Sequence, residues 1–312
     1  MAWLGACARL SSDVDRVVNV NHAALGAPTL SMTTFNMLHG FGNSLNDATL
    51  EERRELLAKG IAETQPVIVI LQEGSDTPRK HGDVVNGLRE SVNRLLVEKG
   101  ISYNSVSAMA NGSPLIGFFE GSAILSRFEI RAAESRVYRA QALFPPKHRI
   151  ALRAQIASSV GEVTIIGTHL TNTGARAGGR LKRTLQAEEL AAWAVGGAAA
   201  TTVVIIGGDF NDDPGSPTIR ALAAARARDA WAFAAQGGQE MGRGLTGLSR
   251  TVTDADDAAD ERIDYIFLLG NRASVAWARP FLDHPFARSG GGVLWASDHV
   301  GVTAGVQIIE AQ

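Results

Sequence analysis

Gly207-Gly208-Asp209-Phe210-Asn211-Asp212-Asp213-Pro214 follows directly on Thr201-Thr202-Val203-Val204-Ile205-Ile206. The β-branched apolar run predicts a strand buried on both faces. The switch to glycine, acid, amide and proline predicts that the strand ends there. Residues two apart on a strand point to the same side. Asp209 and Asn211 are therefore expected together at the mouth of a sheet, where open α/β sheets place their ligands. An Asx-rich turn would explain the same residues without any ligand. What favours the first reading is the company this strand keeps.

Residues 30–38 alternate in polarity and read as a strand, with Asn36 near its end. Asp47 can cap a helix through residue 63, with Leu50, Leu56, Leu57 and Ile61 on one face. Residues 67–71 predict a second buried strand that ends at Gln72-Glu73. A helix over 84–99 is stopped by Gly100. The middle is richer in strands, at 103–108, 117–125, 129–138, 149–157 and 163–169. A helix over 180–195, the Asp209 strand and a helix over 216–227 follow. Residues 236–261 read as a long polar loop, a kind that is often functional or mobile. Strands over 262–268, 273–278 and 300–309 close the chain. This interleaving around an antiparallel-looking middle predicts an α/β sandwich.

The 312 residues include 45 % hydrophobic side chains, 30 basic and 32 acidic ones, for a formal net charge of −2. That supports a sizeable core. No linker, repeat or charge block divides the chain. Residues 29–312 are expected to form a single domain, and 1–28, which lack a pattern, a peripheral extension. A duplex binder usually carries a basic excess, so the charge disfavours nucleic acid as a partner without excluding a local basic patch. Cys7 is the one cysteine, so no internal disulfide is possible. The N-terminus lacks a cationic region and no apolar run is long enough to span a bilayer, which predicts a cytoplasmic protein.

Six apolar strands end in or carry Asn36, Glu73, His169, Asp209 with Asn211, Asp264, and Asp298 with His299. A carboxylate at the end of an apolar strand is costly without a partner. Asp264 lies within the otherwise apolar run 263–268, and Asp298-His299 precedes an apolar run where a charged pair has no structural motive. The set holds carboxylates, amides and imidazoles and no thiolate, which suits a hard divalent ion such as Mg²⁺ or Mn²⁺. Imidazoles can move protons or stabilise an oxyanion. Phosphoester hydrolysis needs these parts: a metal, a positioned water and donors around the phosphoryl oxygens.

Seven strings in one order carry a resemblance: Phe35-Asn36, Leu71-Gln72-Glu73, the run 121–127, Gly167-Thr168-His169-Leu170, Gly208-Asp209-Phe210-Asn211, Arg262-Ile263-Asp264-Tyr265-Ile266 and Ser297-Asp298-His299. With them the chain resembles the endonuclease/exonuclease/phosphatase superfamily, with its deoxyribonuclease-I-like fold, over residues 30–307. The resemblance implies a four-layer α/β sandwich, two packed mostly antiparallel sheets flanked by helices. It implies a metal-dependent hydrolase of phosphoesters. Glu73 would be the main ligand of Mg²⁺ or Mn²⁺, with Asn36 beside it and Asp298 nearby. Asp209 would position or deprotonate the attacking water, and Asn211 would contact the phosphate. His169 would donate to a phosphoryl oxygen. His299, oriented by Asp264, would be the second acid/base element; such a carboxylate fixes the tautomer and raises the basicity of its imidazole. Which residue is the general base stays open.

Other residues have blander readings. His22, His81, His148 and His284 lack motif context, and His39 reads as a bystander near the site. Asp212 and Asp213 read as turn acids, Arg127 as loop support, and Trp295 as packing or cleft lining. Arg176 and Arg180 lie in a basic loop that follows His169 and leads into a helix N-terminus, so they are candidates for binding the substrate anion. The string at His169 resembles nuclease, sphingomyelinase and inositol-phosphatase branches rather than abasic-site nucleases. A small phosphorylated metabolite or lipid head group is the preferred substrate, with nucleic acid as the alternative. An inactive binding module is disfavoured because every expected polar position is filled.

Overall fold

The two most apolar β-branched runs become the middles of two six-stranded sheets. The computed structural model describes residues 17, 29–39, 44–76, 87–113, 118–143, 146–196 and 203–309. Cys7, His22, His81 and the expected extension 1–28, apart from Val17, lie outside them. In the first sheet, Ile68–Asp76 runs parallel to Thr29–Asn36 and antiparallel to Phe118–Ser126. Asn104–Ser113 lies beyond Phe118–Ser126; Gly301–Ile308 and Ala273–Phe281 lie beyond Thr29–Asn36. In the second sheet, Val203–Asp209 runs parallel to Gly161–His169 and antiparallel to Asp264–Leu269. Ile150–Ser158 and Glu129–Val137 extend one side, and Arg228–Asp229 the other.

The sheets are built alike. Each has one parallel pair among antiparallel neighbours, and a helix leads from one strand of the pair to the other: Ser44–Thr64 in the first, Lys182–Gly196 in the second. Parallel neighbours need such a crossover. Met32, Ile68, Ile70, Val106 and Ile124 of the first sheet pack against Leu152, Ile165, Ile205 and Ile266 of the second. Leu57 and Ile61 from the first crossover helix and Val92, Leu95 and Leu96 from Gly87–Glu98 cover the outer face of the first sheet. Leu190 and Trp193, with Ile219 and Leu222 from Pro217–Ala224, cover that of the second. The result is the expected four-layer sandwich.

Two glycines explain the Gly-Gly before Asp209. A Cβ on Gly207 would stand 2.6 Å from Cδ1 of Ile70, so any side chain there would force Ile70 of the other sheet to move. A Cβ on Gly208 would stand 2.0 Å from the carbonyl oxygen of Thr168, inside contact distance.

Several expectations change. The Glu73 strand does not stop at Gln72-Glu73; it runs on to Asp76 through an irregular register between Leu71 and Gly74. The first helix begins at Ser44, so Asp47 lies within it rather than capping it. A short helix, Ala230–Gln236, precedes the long loop; its cap is Asp229, whose carboxylate accepts from the N–H groups of Trp231 and Ala232. Trp295 is buried and donates from Nε1 to the Asp254 carbonyl at 2.8 Å, a packing role. Among the described residues no helix is long and apolar enough to cross a membrane.

Candidate active site

Asp209 is the register partner of His169 on one side and of Asp264 on the other. Cross-strand partners project from the same face, so three polar side chains stand in a row at the end of the second sheet. Asn36 and Glu73 bring the first sheet's parallel pair to the same place. Asn36 turns its amide Nδ2 to Oδ2 of Asp209 at 3.1 Å, Oε1 of Glu73 at 3.4 Å and Nε2 of His299 at 3.4 Å. Its oxygen accepts the Leu38 N–H at 3.1 Å, which leaves that oxygen one lone pair. Glu73 has φ 54°, in the left-handed region, at the irregular register. Bulges re-aim side chains next to functional sites.

Each imidazole is held by a second residue. Nδ1 of His299 lies 2.8 Å from Oδ2 of Asp264, which is fully buried. A carboxylate only accepts, so Nδ1 carries a proton and Nε2 faces Oδ2 of Asp209 at 3.8 Å and Oδ1 of Asp298 at 3.9 Å. Nδ1 of His169 lies 3.0 Å from Nη1 of Arg149. Arginine only donates, so Nδ1 is the acceptor and the proton sits on Nε2. That Nε2–H points at Oδ2 of Asp209, 3.4 Å away, with Oε1 of Glu73 at 3.9 Å.

The electrostatics follow from burial and crowding. Burial first, then the charge of Asp264, push Asp209 up to about 7, against the pull of His299, the Asn211 N–H and Asn36. Burial opposes charge on His299, but Asp264, Asp209 and Asp298 raise it well above the ordinary histidine value. Burial would also raise Glu73, but His39, Arg149 and His299 more than offset it and hold its carboxyl below the usual value.

Asn211 does not stand beside Asp209 as a continuing strand would place it. The strand ends at Asp209, and Asn211 has φ 52°. Its N–H donates to Oδ1 of Asp209 at 2.8 Å, an Asx turn, and its Nδ2 donates to the Leu170 carbonyl at 3.0 Å. The Asx turn is formed, and Asp209 also stands in register with His169 and Asp264. Arg176 and Arg180 are exposed on a two-residue ribbon, Arg176–Ala177 with Arg180–Leu181, ahead of the helix. Arg176 donates to the Gly179 carbonyl at 2.7 Å, and Arg180 pairs with Glu188. Neither touches the acids and imidazoles above.

Sequence reasoning missed four contributors. Arg149 precedes Ile150–Ser158, the first strand of a hairpin whose second strand ends at His169. Hairpin register alone places that start beside that end. Glu120 faces Arg149 (3.7 Å) and His39 (3.7 Å), and Nε2 of His39 also lies 3.5 Å from Oε2 of Glu73. Glu73, Glu120, Arg149 and His169 line one cleft. Arg53, almost wholly buried, donates to the carbonyls of Met37 at 2.7 Å, Leu38 at 2.9 Å and Asn46 at 3.2 Å. It fastens the chain after Asn36, and burial lowers its guanidinium to about 10. Thr246, in the long loop, accepts the N–H groups of Ile263 and Asp264 at 3.1 Å each, and its carbonyl accepts from Val300 at 2.7 Å. That loop therefore braces Asp264 and His299 from behind.

The donor set suits a divalent ion. The carboxylates of Glu73 and Asp298 are close enough that Glu73 helps raise Asp298, and Asp209 is crowded by the buried Asp264. A hard cation bound there would offset this negative charge.

The sequence profile of the endonuclease/exonuclease/phosphatase family matches residues 33–299, and the chain belongs to that family. It is a hydrolase acting on phosphoesters. Solved structures share the fold. A family protein from Leptotrichia buccalis C-1013-b is 16% identical, with TM-score 0.66 over 89% of this chain and 100% of that one. The mannosyl-6-phosphatase Bt3783 of Bacteroides thetaiotaomicron VPI-5482 is 16% identical, with TM-score 0.65 over 89% and 99%. A humanized D. rerio TDP2 is 19% identical, with TM-score 0.60 over 90% and 99%. No curated protein matches the chain in sequence.

Proposed function

We propose that this protein hydrolyses a small phosphorylated metabolite or lipid head group with an activated water and a divalent metal, Mg²⁺ or Mn²⁺. The observation that carries the reading is the row His169, Asp209, Asp264 with His299 closing on it: Nε2 of both imidazoles and Nδ2 of Asn36 converge on Oδ2 of Asp209. Glu73 holds the metal with Asn36 and Asp298. When bound, the metal offsets phosphoryl charge and lowers the pKa of water.

The protein's own groups do the rest. Asp209 takes the proton of the attacking water. Its position near 7 suits a base that works at neutral pH. His299, charged and anchored on Asp264, steadies Asp209 in its ionised form and supplies a proton. His169 donates from Nε2 to a phosphoryl oxygen, an act for which Arg149 has already set the tautomer. Asn211 keeps one amide N–H for the phosphate after bonding Leu170.

The substrate preference rests on charge. The chain has no basic excess, and the ribbon's Arg180 is paired with Glu188. A panel of phosphomonoesters and diesters beside single- and double-stranded DNA, assayed from 50 to 200 mM salt, tests it. Turnover of small esters with little salt dependence supports the reading. DNA cleavage that falls by about 10³-fold or more across that range would replace it with a nuclease.

A further inference from the structure

His39, Glu73 and Glu120 come from three separate elements: the chain after Thr29–Asn36, the irregular register of Ile68–Asp76, and the strand Phe118–Ser126. One ligand atom from each lies within 4.8 Å of the other two. The carboxylates divide their oxygens the same way. Oε1 of Glu73 faces Asn36 and His169, while Oε2 faces the N–H of His39 at 3.3 Å and its Nε2 at 3.5 Å. Oε1 of Glu120 takes Asn111 and Arg149, while Oε2 faces Nε2 of His39 at 3.7 Å. Each acid thus turns one oxygen to the same imidazole nitrogen and engages the other elsewhere, although Oε2 of Glu73 also accepts the His39 N–H.

The His39–carboxylate separations are longer than hydrogen bonds, which want about 2.7–3.2 Å, and leave room for an ion between the donors. Donors about 2.1 Å from one ion stand about 3.0 Å apart at a right angle and about 3.4 Å apart at a tetrahedral angle. Small inward movements of 3.5 and 3.7 Å separations meet that need. The His39 side chain is 26% exposed against 15% for Glu73 and 8% for Glu120, so the imidazole stands at the open side, where an ion would enter.

We propose that His39 and Glu120 join Glu73 in a three-donor cation site, and that the imidazole makes this site select Mn²⁺ or a similar first-row ion over Mg²⁺. The chemistry follows from ligand type: Mg²⁺ keeps to oxygen and holds its waters, whereas imidazole nitrogen binds transition ions well. Arg149 fits the arrangement, because it engages the opposite oxygen of Glu120 and leaves the donor oxygen clear. The proposal deepens the reading of Glu73 as metal ligand and rests on it.

The test is pulsed EPR and equilibrium titration of the full chain with Mn²⁺ alone, then competition by Mg²⁺. Wild type, His39→Ala, His39→Gln, Glu120→Gln and Glu73→Gln are compared after thermal unfolding shows which of them fold. The expected result is a ¹⁴N coupling on bound Mn²⁺ that is absent from His39→Ala. The Mn²⁺ Kd should weaken by about ten-fold or more in folded His39 and Glu120 variants. Mg²⁺ should displace Mn²⁺ only in large excess. Tight Mn²⁺ that depends on Glu73 but shows no ¹⁴N coupling, or keeps it without His39, would overturn the proposal and leave Glu73 as a ligand. Displacement by equimolar Mg²⁺ would overturn the selectivity. A wild type that binds no Mn²⁺ would overturn the proposal together with the reading beneath it.

Discussion

Nη1 of Arg149 lies 3.0 Å from Nδ1 of His169, and this contact decides which nitrogen of the ring faces the site with a proton. Nη1 cannot accept, so His169 presents Nε2–H toward Asp209. Removing the arginine frees the ring to adopt the other tautomer. Arg149→Met should lower kcat by about 10–100-fold, the usual cost of losing such a supporting partner, with Arg149→Lys in between. ¹⁵N NMR of the imidazole should show the proton moving from Nε2 to a mixture of both nitrogens. An unchanged tautomer with unchanged kcat would contradict this assignment.

Asp264 plays the matching part for His299 at 2.8 Å. Asp264→Asn keeps the shape but replaces an acceptor with a group that can also donate. The expected loss in kcat is about 10²-fold or more, with KM nearly unchanged, because orientation and charge are lost rather than substrate contacts. Steady-state kinetics on one good ester decide it. A rise in KM alone would make Asp264 a structural residue.

The crowding of Asp209 gives a prediction in pH. Its carboxyl is raised to about 7 in the folded protein, above its unfolded value. A raised acid stabilises the fold while protonated and loses that contribution as pH rises through the folded value. Metal-free Asp209→Asn should therefore gain stability over wild type progressively between about pH 4 and pH 7, with a plateau above. Thermal unfolding in EDTA at a series of pH values reads this directly. A constant difference at all pH values would show that Asp209 does not titrate in that window.

Gly207 lets the sheets close beneath the site. Gly207→Ala puts a methyl 2.6 Å from Cδ1 of Ile70 and should cost about 1–3 kcal/mol. Ile70→Val removes the clashing carbon, so the double variant should be more stable than the sum of the singles. Denaturant unfolding of the four proteins measures the coupling, and strict additivity would refute the contact.

Much of this was legible in the sequence because the chemistry sits at the ends of apolar runs. Asn36, His169, Asp209 and Asp264 end or begin strands; parallel register sets His169 beside Asp209, and antiparallel register sets the start of the Asp264 strand beside the same end. What was not legible depends on backbone irregularity or on distant partners. The end of the apolar run at Leu71 puts Glu73 at a strand end, but it lies inside a strand with φ 54°. Strand alternation would set Asn211 beside Asp209, but its positive φ turns the amide to Leu170. His39 looked like a bystander because its partners, Glu73 and Glu120, lie 34 and 81 positions away in the numbering. Arg176 and Arg180 looked like a helix entry because the intervening ribbon is only two residues per strand. The long loop showed no code, yet Thr246 ties it to Asp264 through two backbone N–H groups.

The most direct test of the account is hydrolysis of bis-p-nitrophenyl phosphate and p-nitrophenyl phosphate by wild type and by Glu73→Ala/His299→Ala, each with Mg²⁺, Mn²⁺ or EDTA. The account predicts metal-dependent release of p-nitrophenol by wild type, abolished by EDTA and in the double variant. Release that survives EDTA, or that persists in a folded Glu73→Ala/His299→Ala protein, would contradict it.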